Sequence, residues 1–261
     1  MLTSVQNPLI KQLRKLQQVK GRREQQLFLL EGTHLIEEAL ATQYPLETVC
    51  YTPQWSDRYR DLQEKVCHIA TRSEQVNERV LQAIATTVKP DGIIATAPRP
   101  KRQTVTITQL GLALETVQDP GNLGTMIRTA AASGADGLWL SGDSVDLDHP
   151  KVLRASAGAW FRLPMAICSD LKTQLIAAQQ QGVQIVATLP NASLSYWELD
   201  FQKPTMIVLG NEGAGLSPEL AALADQQVMI PLSGGVESLN VAICGALILY
   251  EAQRQYQNRT P

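Results

Sequence analysis

The sequence predicts an α/β protein with two domains, the second built on a mostly parallel sheet that helices cover on both faces. Short apolar runs of strand length alternate with amphipathic segments of helix length along most of the chain. A chain of 261 residues is long for a single domain. Residues 98–103 contain two prolines and three cations, a composition typical of a linker.

We therefore predict a small α/β domain over residues 1–97, a linker over 98–107 and a second domain over 108–261. Apolar residues recur at helical spacing from Leu9 to Val19, which predicts one amphipathic helix with a basic side. The strands predicted after it are 27–30, 46–51, 66–70 and 92–97. Three helices are also predicted: one that begins near residue 33, one at 57–65 and one at 73–84.

The second domain shows the same alternation. Its predicted strands are 112–117, 138–140, 163–167, 183–189, 205–209 and 227–230, and its predicted helices are 125–133, 151–157, 171–180, 218–223 and 239–255. Open parallel sheets bind ligands at the carboxyl ends of their strands. The loops that follow three of these strands are therefore the candidate ligand loops.

Each of the three loops offers groups that suit a ligand. In the first, Gly124 would allow a tight turn, and Arg128 carries donors for phosphate or ribose oxygens. The second, residues 210–215, is rich in glycine but lacks the spacing of a dinucleotide fingerprint; its Glu212 either fixes the turn or meets a ligand or a partner's arginine. The third loop ends at Ser238, the predicted N-cap of a helix so apolar that it must be buried between layers or against another subunit.

Positive charge is concentrated near the N-terminus, although the net charge of the chain is only −2. The first 23 residues contain no acidic residue, and the linker adds further cations. Such clusters suit nucleic-acid phosphates, while a solvated helix face is the alternative interpretation. The candidate RNA-binding residues are Lys11, Arg14, Lys15, Lys20, Arg22, Arg23, Arg99, Lys101 and Arg102.

Several classes of function find no support in the sequence. No apolar run reaches the length of a membrane span and the N-terminus lacks a secretory core, so we expect a cytoplasmic protein. The four cysteines are far apart and are expected to be buried thiols, with no disulfide or zinc site. The aspartates before His149 predict a solvated loop and no metal site, and the serine-containing loops lack a histidine partner for hydrolysis.

The three loops together resemble the signature motifs of the SpoU/TrmH family of RNA 2′-O-ribose methyltransferases, which belong to the SPOUT class. The matching segments are 122–128, 209–215 and 230–241, in the family's order and at its spacing, and the resemblance extends from residue 108 to about 256. Residues 28–32 resemble, in less detail, the substrate-binding domain of members that modify ribosomal RNA. That domain has a fold akin to a ribosomal protein.

The resemblance implies a C-terminal trefoil knot, S-adenosylmethionine as methyl donor, and a homodimer with the active site at its interface. The cofactor neighbours that it implies are Leu189, Gly210, Ile230, Leu232, Leu239 and Asn240. Arg128 would act at the ribose 2′-hydroxyl, surrounded by Asn122, Glu212, Ser238 and Asn240, with Asn240 near Arg128 of the other subunit. The implied reaction is methyl transfer to a ribose of RNA, with 23S ribosomal RNA as the expected substrate.

Three other functions stay open from the sequence. The same chemistry on tRNA is disfavoured by the N-terminal domain. A non-catalytic RNA-binding or ribosome-assembly factor on this fold is disfavoured by the presence of Arg128, Glu212 and Asn240. A nicotinamide-dependent enzyme is disfavoured by the glycine spacing of residues 210–215.

Overall fold

The computed structural model describes residues 1–100 and 103–257. The chain forms two compact units, one of Met1–Lys101 with Asp146–Phe161 and one of Arg102–Val145 with Arg162–Pro261. The segment Asp146–Phe161, which the sequence analysis assigned to the second domain, thus packs within the first unit. Two of the candidate RNA-binding residues, Lys101 and Arg102, lie outside the described residues.

The helices and strands follow one another in the order that the alternating pattern predicts, with local differences. In chain order they are α1 Pro8–Lys15, α2 Val19–Gln25, β1 Leu27–Glu31, α3 Thr33–Ala41, β2 Thr48–Tyr51, α4 Pro53–Arg58, α5 Arg60–Ile69, β3 Arg72–Gln75, α6 Glu78–Ile84, β4 Ile93–Pro98, β5 Leu110–Leu114, α7 Pro120–Ala132, β6 Gly137–Ser141, α8 Pro150–Ala155, β7 Met165–Cys168, α9 Leu171–Gln180, β8 Gln184–Thr188, β9 Leu194–Ser195, β10 Thr205–Leu209, α10 Pro218–Leu223, β11 Gln226–Met229 and α11 Val241–Gln257.

The first unit is built on a four-stranded sheet in the order β1-β4-β2-β3. Strand β4 pairs antiparallel with both β1 and β2, whereas β2 and β3 are parallel. Helix α1 and its C-cap residue cover this sheet with Ile10, Leu13 and Leu16, which belong to the same buried cluster as Ile84 and Ile94. The predicted amphipathic face is therefore the face that packs on the core.

The predicted N-terminal helix is divided into α1 and α2 at Gln18, whose backbone is extended, and Gly21 lets the two helices approach closely. A Cβ atom on Gly21 would lie 2.0 Å from the carbonyl oxygen of Lys15, so the start of α2 crosses the end of α1 at a distance that only glycine allows. Val19, predicted on the apolar face, is consequently exposed at the beginning of α2.

Residues 66–70 were predicted to form a strand, and this prediction is wrong. They belong mostly to helix α5, in which Val66 is buried while His68 and Ile69 are exposed. The strand is instead β3, with the polar sequence Arg-Ser-Glu-Gln at residues 72–75, in the stretch predicted to begin a helix. Its sequence contains no apolar pattern of period two that would predict a strand. We therefore attribute the strand to its pairing with β2.

Arg22 is a buried ion-pair residue, which corrects its prediction as an RNA contact. Its side chain, in a residue that is 1% exposed, lies 3.0 Å from Asp148 and 3.1 Å from Asp146. Arg99 also pairs with Asp148, and Arg23 with Asp146 at 2.9 Å. Because a buried guanidinium cannot reach a phosphate, Arg22 stabilises the docking of the segment Asp146–Phe161 within the first unit.

Replacement of Arg22 with methionine is expected to lower the free energy of unfolding by about 3–5 kcal/mol, because Asp146 and Asp148 lose their buried partner. Urea denaturation would measure the change. Arg14→Met is the matched control, since Arg14 is exposed on α1 and its loss should change stability by less than about 0.5 kcal/mol. Equal midpoints for the two variants would contradict a stabilising role for the cluster.

The second unit is built on a seven-stranded sheet in the order β7-β6-β5-β10-β8-β11-β9, and all its strand pairs are parallel. Every residue of β5, β6 and β10 is buried, as expected of strands covered on both faces. The α/β class and the mostly parallel sheet are thereby confirmed. No helix within the described residues is both long and apolar enough to cross a membrane.

Candidate functional site

A cavity of about 350 Å³ lies in the second unit, where the loops after β8, β10 and β11 meet the start of α11. Five of the six predicted cofactor neighbours line it: Leu189, Gly210, Ile230, Leu232 and Leu239. The sixth, Asn240, is not among the lining residues, although Leu239 and Val241 on either side of it are. The parallel sheet thus gathers residues from distant parts of the chain at one edge.

The loop after β10 is closed upon itself. A Cβ on Gly210 would lie 2.2 Å from the carbonyl carbon and oxygen of Gly215, so the two backbone segments touch where Gly210 lines the cavity. The backbones of Asn211 and Gly215 exchange two hydrogen bonds of 2.9 Å. The Asn211 side chain accepts hydrogen bonds from the N–H groups of Gly213 and Ala214 and donates one to the carbonyl of Thr116. These contacts form a cavity wall made largely of backbone.

Glu212 joins this loop to the first turn of α7. Its carboxylate accepts hydrogen bonds from the backbone N–H groups of Gln118 (3.2 Å) and Asp119 (3.0 Å) and from Asn122 Nδ2 (3.2 Å). Burial raises the pKa of this carboxyl, but the hydrogen bonds it accepts outweigh burial, so its pKa is lowered overall. Of the alternatives left open by the sequence, the structure supports the structural one, a carboxylate that fixes two loops.

Helix α7 begins earlier than predicted, which corrects the interpretation of the first loop. Pro120 occupies its first turn, and the Asp119 side chain caps it by accepting a hydrogen bond of 2.9 Å from Asn122 N–H. Asn122 and Gly124 therefore lie inside the helix, and Gly124 is a buried helical residue, not a turn. Aspartate followed by proline is a known helix-start signal that the sequence analysis overlooked.

Asn240 connects the third loop to the first. Its side-chain oxygen accepts hydrogen bonds from Ala242 N–H (2.9 Å) and Ile243 N–H (3.4 Å), so Asn240, and not the predicted Ser238, caps α11. Its side-chain nitrogen donates to Asn122 Oδ1 at 2.9 Å. Asn240, Asn122 and Glu212 thus form one hydrogen-bonded chain, while Ser238 lines the cavity beside it.

Arg128 does not belong to this hydrogen-bonded chain. It lies on helix α7, further along than Asn122. It is exposed, and within the described part of the chain its guanidinium has no hydrogen-bond or ion-pair partner. Its neighbours on the exposed face of α7 are small, Thr125 and Ala132. An arginine with five unused donors on such a face is available to a ligand or to another subunit.

The cavity fits the methyl donor that the resemblance implies. Its volume is within the range of ligand pockets, and the exposed leucines at 232 and 239 give it apolar walls. Thr188 also lines it, with a buried hydroxyl oxygen that has no hydrogen-bond partner within the described residues. A nucleoside could satisfy that hydroxyl and bond to the loop backbones. Thr188, Asn211 and Asp119 are site residues that the sequence analysis missed; only Asp119 carried a local signal.

Among the described residues there is no group of three or more histidine, cysteine, aspartate or glutamate side chains that could hold a metal ion. The thiols are free; Cys50 and Cys168 are buried as expected, whereas Cys67 and Cys244 are partly exposed. Burial raises the pKa of Cys50 to about 12 and that of Cys168 to about 11.

Comparisons with known proteins agree with this architecture. Residues 109–250 match the SpoU rRNA Methylase family, and residues 7–95 match the MRM3-like substrate binding domain. An uncharacterized tRNA/rRNA methyltransferase of Synechocystis is 47% identical over 256 residues, 97% of this chain and 93% of that protein. RlmP of Bacillus subtilis, a 23S rRNA (guanosine(2553)-2′-O)-methyltransferase, is 32% identical over 95% of this chain and 97% of its own. An AdoMet-bound rRNA methyltransferase from Sinorhizobium meliloti superposes with a TM-score of 0.86 at 34% identity, covering 97% of both chains.

Proposed function

The chain belongs to the SpoU family of S-adenosylmethionine-dependent RNA 2′-O-methyltransferases, and we propose that it methylates a ribose 2′-hydroxyl of 23S ribosomal RNA. The observation that carries the choice of RNA is the match of a 23S rRNA enzyme along both units, including the part that matches a substrate-binding domain. Ribosomal RNA as substrate would locate the enzyme in the cytoplasm.

In the proposed site, the hydrogen-bonded chain of Asn240, Asn122 and Glu212 holds the three loops in register, and Ser238 lies at the edge of the cavity. When bound, S-adenosylmethionine supplies an activated methyl group. A guanidinium stays protonated in proteins, so Arg128 does not act as the base. It orients the 2′-hydroxyl and a neighbouring phosphate, and the phosphate oxygen helps to accept the proton. Orientation of this kind can supply about 7–11 kcal/mol of a barrier.

The direct test is transfer of tritiated methyl from S-adenosylmethionine to unmodified 23S rRNA transcribed in vitro, followed by mapping of the labelled nucleotide. We expect one 2′-O-methylated ribose and no label on tRNA. Label on tRNA alone would favour the alternative substrate. Tight RNA binding without S-adenosylmethionine binding in calorimetry would instead favour a non-catalytic factor, and binding of NAD a nicotinamide enzyme.

We also propose that the enzyme is a homodimer and that its C-terminal segment forms a trefoil knot. Helix α11 buries Ile248 and Leu249 but leaves Ile243, Leu247 and Tyr250 on an exposed face, with Ile243 49% and Tyr250 48% accessible. Helices α7 and α11 pack together, so Arg128 and this apolar face lie on neighbouring helices. The knot is favoured because the chain leaves the sheet at β11, near one edge, and returns to α7.

Leu247→Glu is expected to convert the proposed dimer to monomers, because it buries an unpaired charge in the interface. Sedimentation velocity would measure the oligomeric state. Val88→Glu is the control, since Val88 is exposed on the first unit and its replacement should leave the dimer intact. Dimers that persist unchanged with Leu247→Glu would overturn this choice of interface.

The basic side of α1 is retained as an RNA contact. Lys11, Arg14 and Lys15 are exposed, and within the described residues none has an ion-pair partner. Lys20 is also exposed, beside Glu24 at 3.8 Å. Replacing Lys11, Arg14 and Lys15 with glutamine should weaken RNA binding and lower the salt slope by about three, with S-adenosylmethionine affinity unchanged.

Point variants are preferable to deletion of residues 1–97, because that deletion would strip partners from Leu147, Val152, Leu153 and Trp160, which are buried in the first unit. For the triple variant, filter binding over a range of salt concentrations gives both the RNA affinity and its salt slope. An unchanged salt slope in the triple variant would leave only the alternative interpretation, a solvated helix face.

A further inference from the structure

A second cavity opens on the first unit, between helix α4 and the loop 88–92 that leads into β4. Its volume is about 410 Å³, and none of its lining residues belongs to the candidate site or to the basic side of α1. Its lining combines aromatic rings, cations and side-chain amides: Trp55, Tyr59, Arg58, Lys89, Gln54 and Gln82. We call it the α4 pocket.

The aromatic wall of the α4 pocket is fixed before any ligand arrives. Trp55 is 2% exposed, and its indole N–H donates a 2.8 Å hydrogen bond to Thr33 Oγ1. Tyr59 lies on Trp55 with ring centroids 5.5 Å apart and an interplanar angle of 32°. The guanidinium carbon of Arg58 is 5.2 Å from the Tyr59 ring centroid. Tyr59 is itself partly exposed, so the pocket presents a rigid ring with a cation beside it.

The opposite wall is also held in place. The Asp91 carboxylate accepts a 2.7 Å hydrogen bond from Thr33 N–H at the start of α3, and the Gly92 carbonyl accepts one of 2.9 Å from Thr52 N–H. Gly92 has a φ of +111°, and a Cβ there would lie 2.6 Å from the Trp55 Cβ. The loop therefore packs on Trp55 at a distance that a larger residue would not allow.

The charge of the α4 pocket favours an anion next to an aromatic surface. Within the described residues, Arg58 and Lys89 have no carboxylate partner, and both are exposed. Each of the two carboxylates in the lining lies at a helix N-terminus. Asp91 accepts a hydrogen bond from the N–H of Thr33, the first residue of α3, and Glu78 is in the first turn of α6. Helix dipoles offset such carboxylates, which leaves the cations to attract a phosphate.

We propose that the α4 pocket receives one unpaired nucleotide of the substrate RNA, with its base stacked on Tyr59 and Arg58 and its phosphate beside Lys89. The inference rests on the proposed function, because that function makes RNA the substrate. Proteins recognise single-stranded RNA by stacking splayed bases on aromatic rings and guanidinium planes, whereas duplex RNA is read along its grooves. An open pocket with one partly exposed ring suits a single base, and the side-chain amides of Gln54 and Gln82 can pair with its edge.

The test is filter binding of unmodified 23S rRNA, transcribed in vitro, to variants of the whole 261-residue chain. Tyr59→Leu should weaken binding about 10-fold, and Tyr59→Phe should restore it, because stacking needs only the ring. Lys89→Gln should lower the salt slope by about one. Arg60→Gln, which removes an exposed cation next to the pocket but outside its lining, should bind RNA as the wild type does. Tyr59→Leu binding as tightly as Arg60→Gln would overturn the proposal.

A second measurement needs no variant. Wild-type protein is irradiated with 23S rRNA that contains 4-thiouridine, and the crosslinked peptides are identified by mass spectrometry. We expect crosslinks within residues 52–59 or 82–92; crosslinks confined to other segments would refute the α4 pocket. Neither measurement requires methyl transfer. RNA bound in the pocket by an inactive protein would therefore refute only the methyltransferase, whereas active enzyme without a Tyr59 effect would refute only the pocket.

Discussion

Replacing Gly210 with alanine is expected to abolish measurable S-adenosylmethionine binding, with a loss of at least about 100-fold in affinity, equivalent to about 2.7 kcal/mol. The added Cβ would lie 2.2 Å from the carbonyl group of Gly215, a separation that atoms do not tolerate. The loop that carries Asn211 and Glu212 must then move, and it forms one wall of the cavity. Titration calorimetry with S-adenosylmethionine measures the loss.

Gly213→Ala is the matched control in the same loop. A Cβ on Gly213 would meet only the Asn211 side-chain oxygen, at 3.6 Å, which is an ordinary contact. This variant should bind S-adenosylmethionine nearly as the wild type does and melt close to the wild-type temperature, whereas Gly210→Ala should melt lower, so both variants are titrated below its melting range. If Gly210→Ala bound the cofactor as well as Gly213→Ala, the cavity would not be the cofactor site.

Replacing Arg128 with lysine is expected to lower kcat for methyl transfer by about 100-fold while leaving the affinity for S-adenosylmethionine unchanged. Lysine keeps the positive charge but lacks the planar fork of donors that can hold a hydroxyl and a phosphate together. Because Arg128 is exposed and has no partner within the described residues, its replacement should not destabilise the fold. Single-turnover transfer of tritiated methyl separates the chemical step from binding.

Arg162→Lys serves as a control for the conservative change, since Arg162 lies outside the three motif loops. It should turn over at close to the wild-type rate. Near-normal turnover with Arg128→Lys would mean that a plain charge suffices, and the bidentate role would be wrong. A parallel loss of cofactor affinity would instead assign Arg128 to cofactor binding.

Much of the second unit was predictable because its signals are local. Helices 171–180 and 218–223 and strand 205–209 have the predicted bounds. Asp170 and Ser217 cap the two helices, and the strand is a continuous apolar run from Met206 to Leu209, preceded by Thr205 and followed by Gly210. Two of the loops that line the cavity, those after β10 and β11, were also predictable as ligand loops, because parallel strands bring their carboxyl ends to one edge. These properties depend on residues within a few positions of one another.

The predictions that were wrong concern features that depend on contacts outside a local stretch of sequence. The strand β3 has no apolar pattern and exists because β2 pairs with it. Arg22 was predicted to face solvent, but its partners Asp146 and Asp148 are 124 and 126 residues away in sequence. The cap of α11 was assigned to Ser238, which suits a cap as well as Asn240 does, and the choice depends on contacts that a local window does not contain.

By itself, the sequence determined the α/β class, the order of most elements and two of the three loops that meet at the cavity, those after β10 and β11, since propensity, capping and apolar periodicity act over short distances. Tertiary structure alone decided that Asn240 reaches Asn122, 118 residues away, and that the segment Asp146–Phe161 docks in the first unit. It also decided which cations are buried in ion pairs and which are exposed, because desolvation and pairing depend on neighbours that only the folded chain supplies.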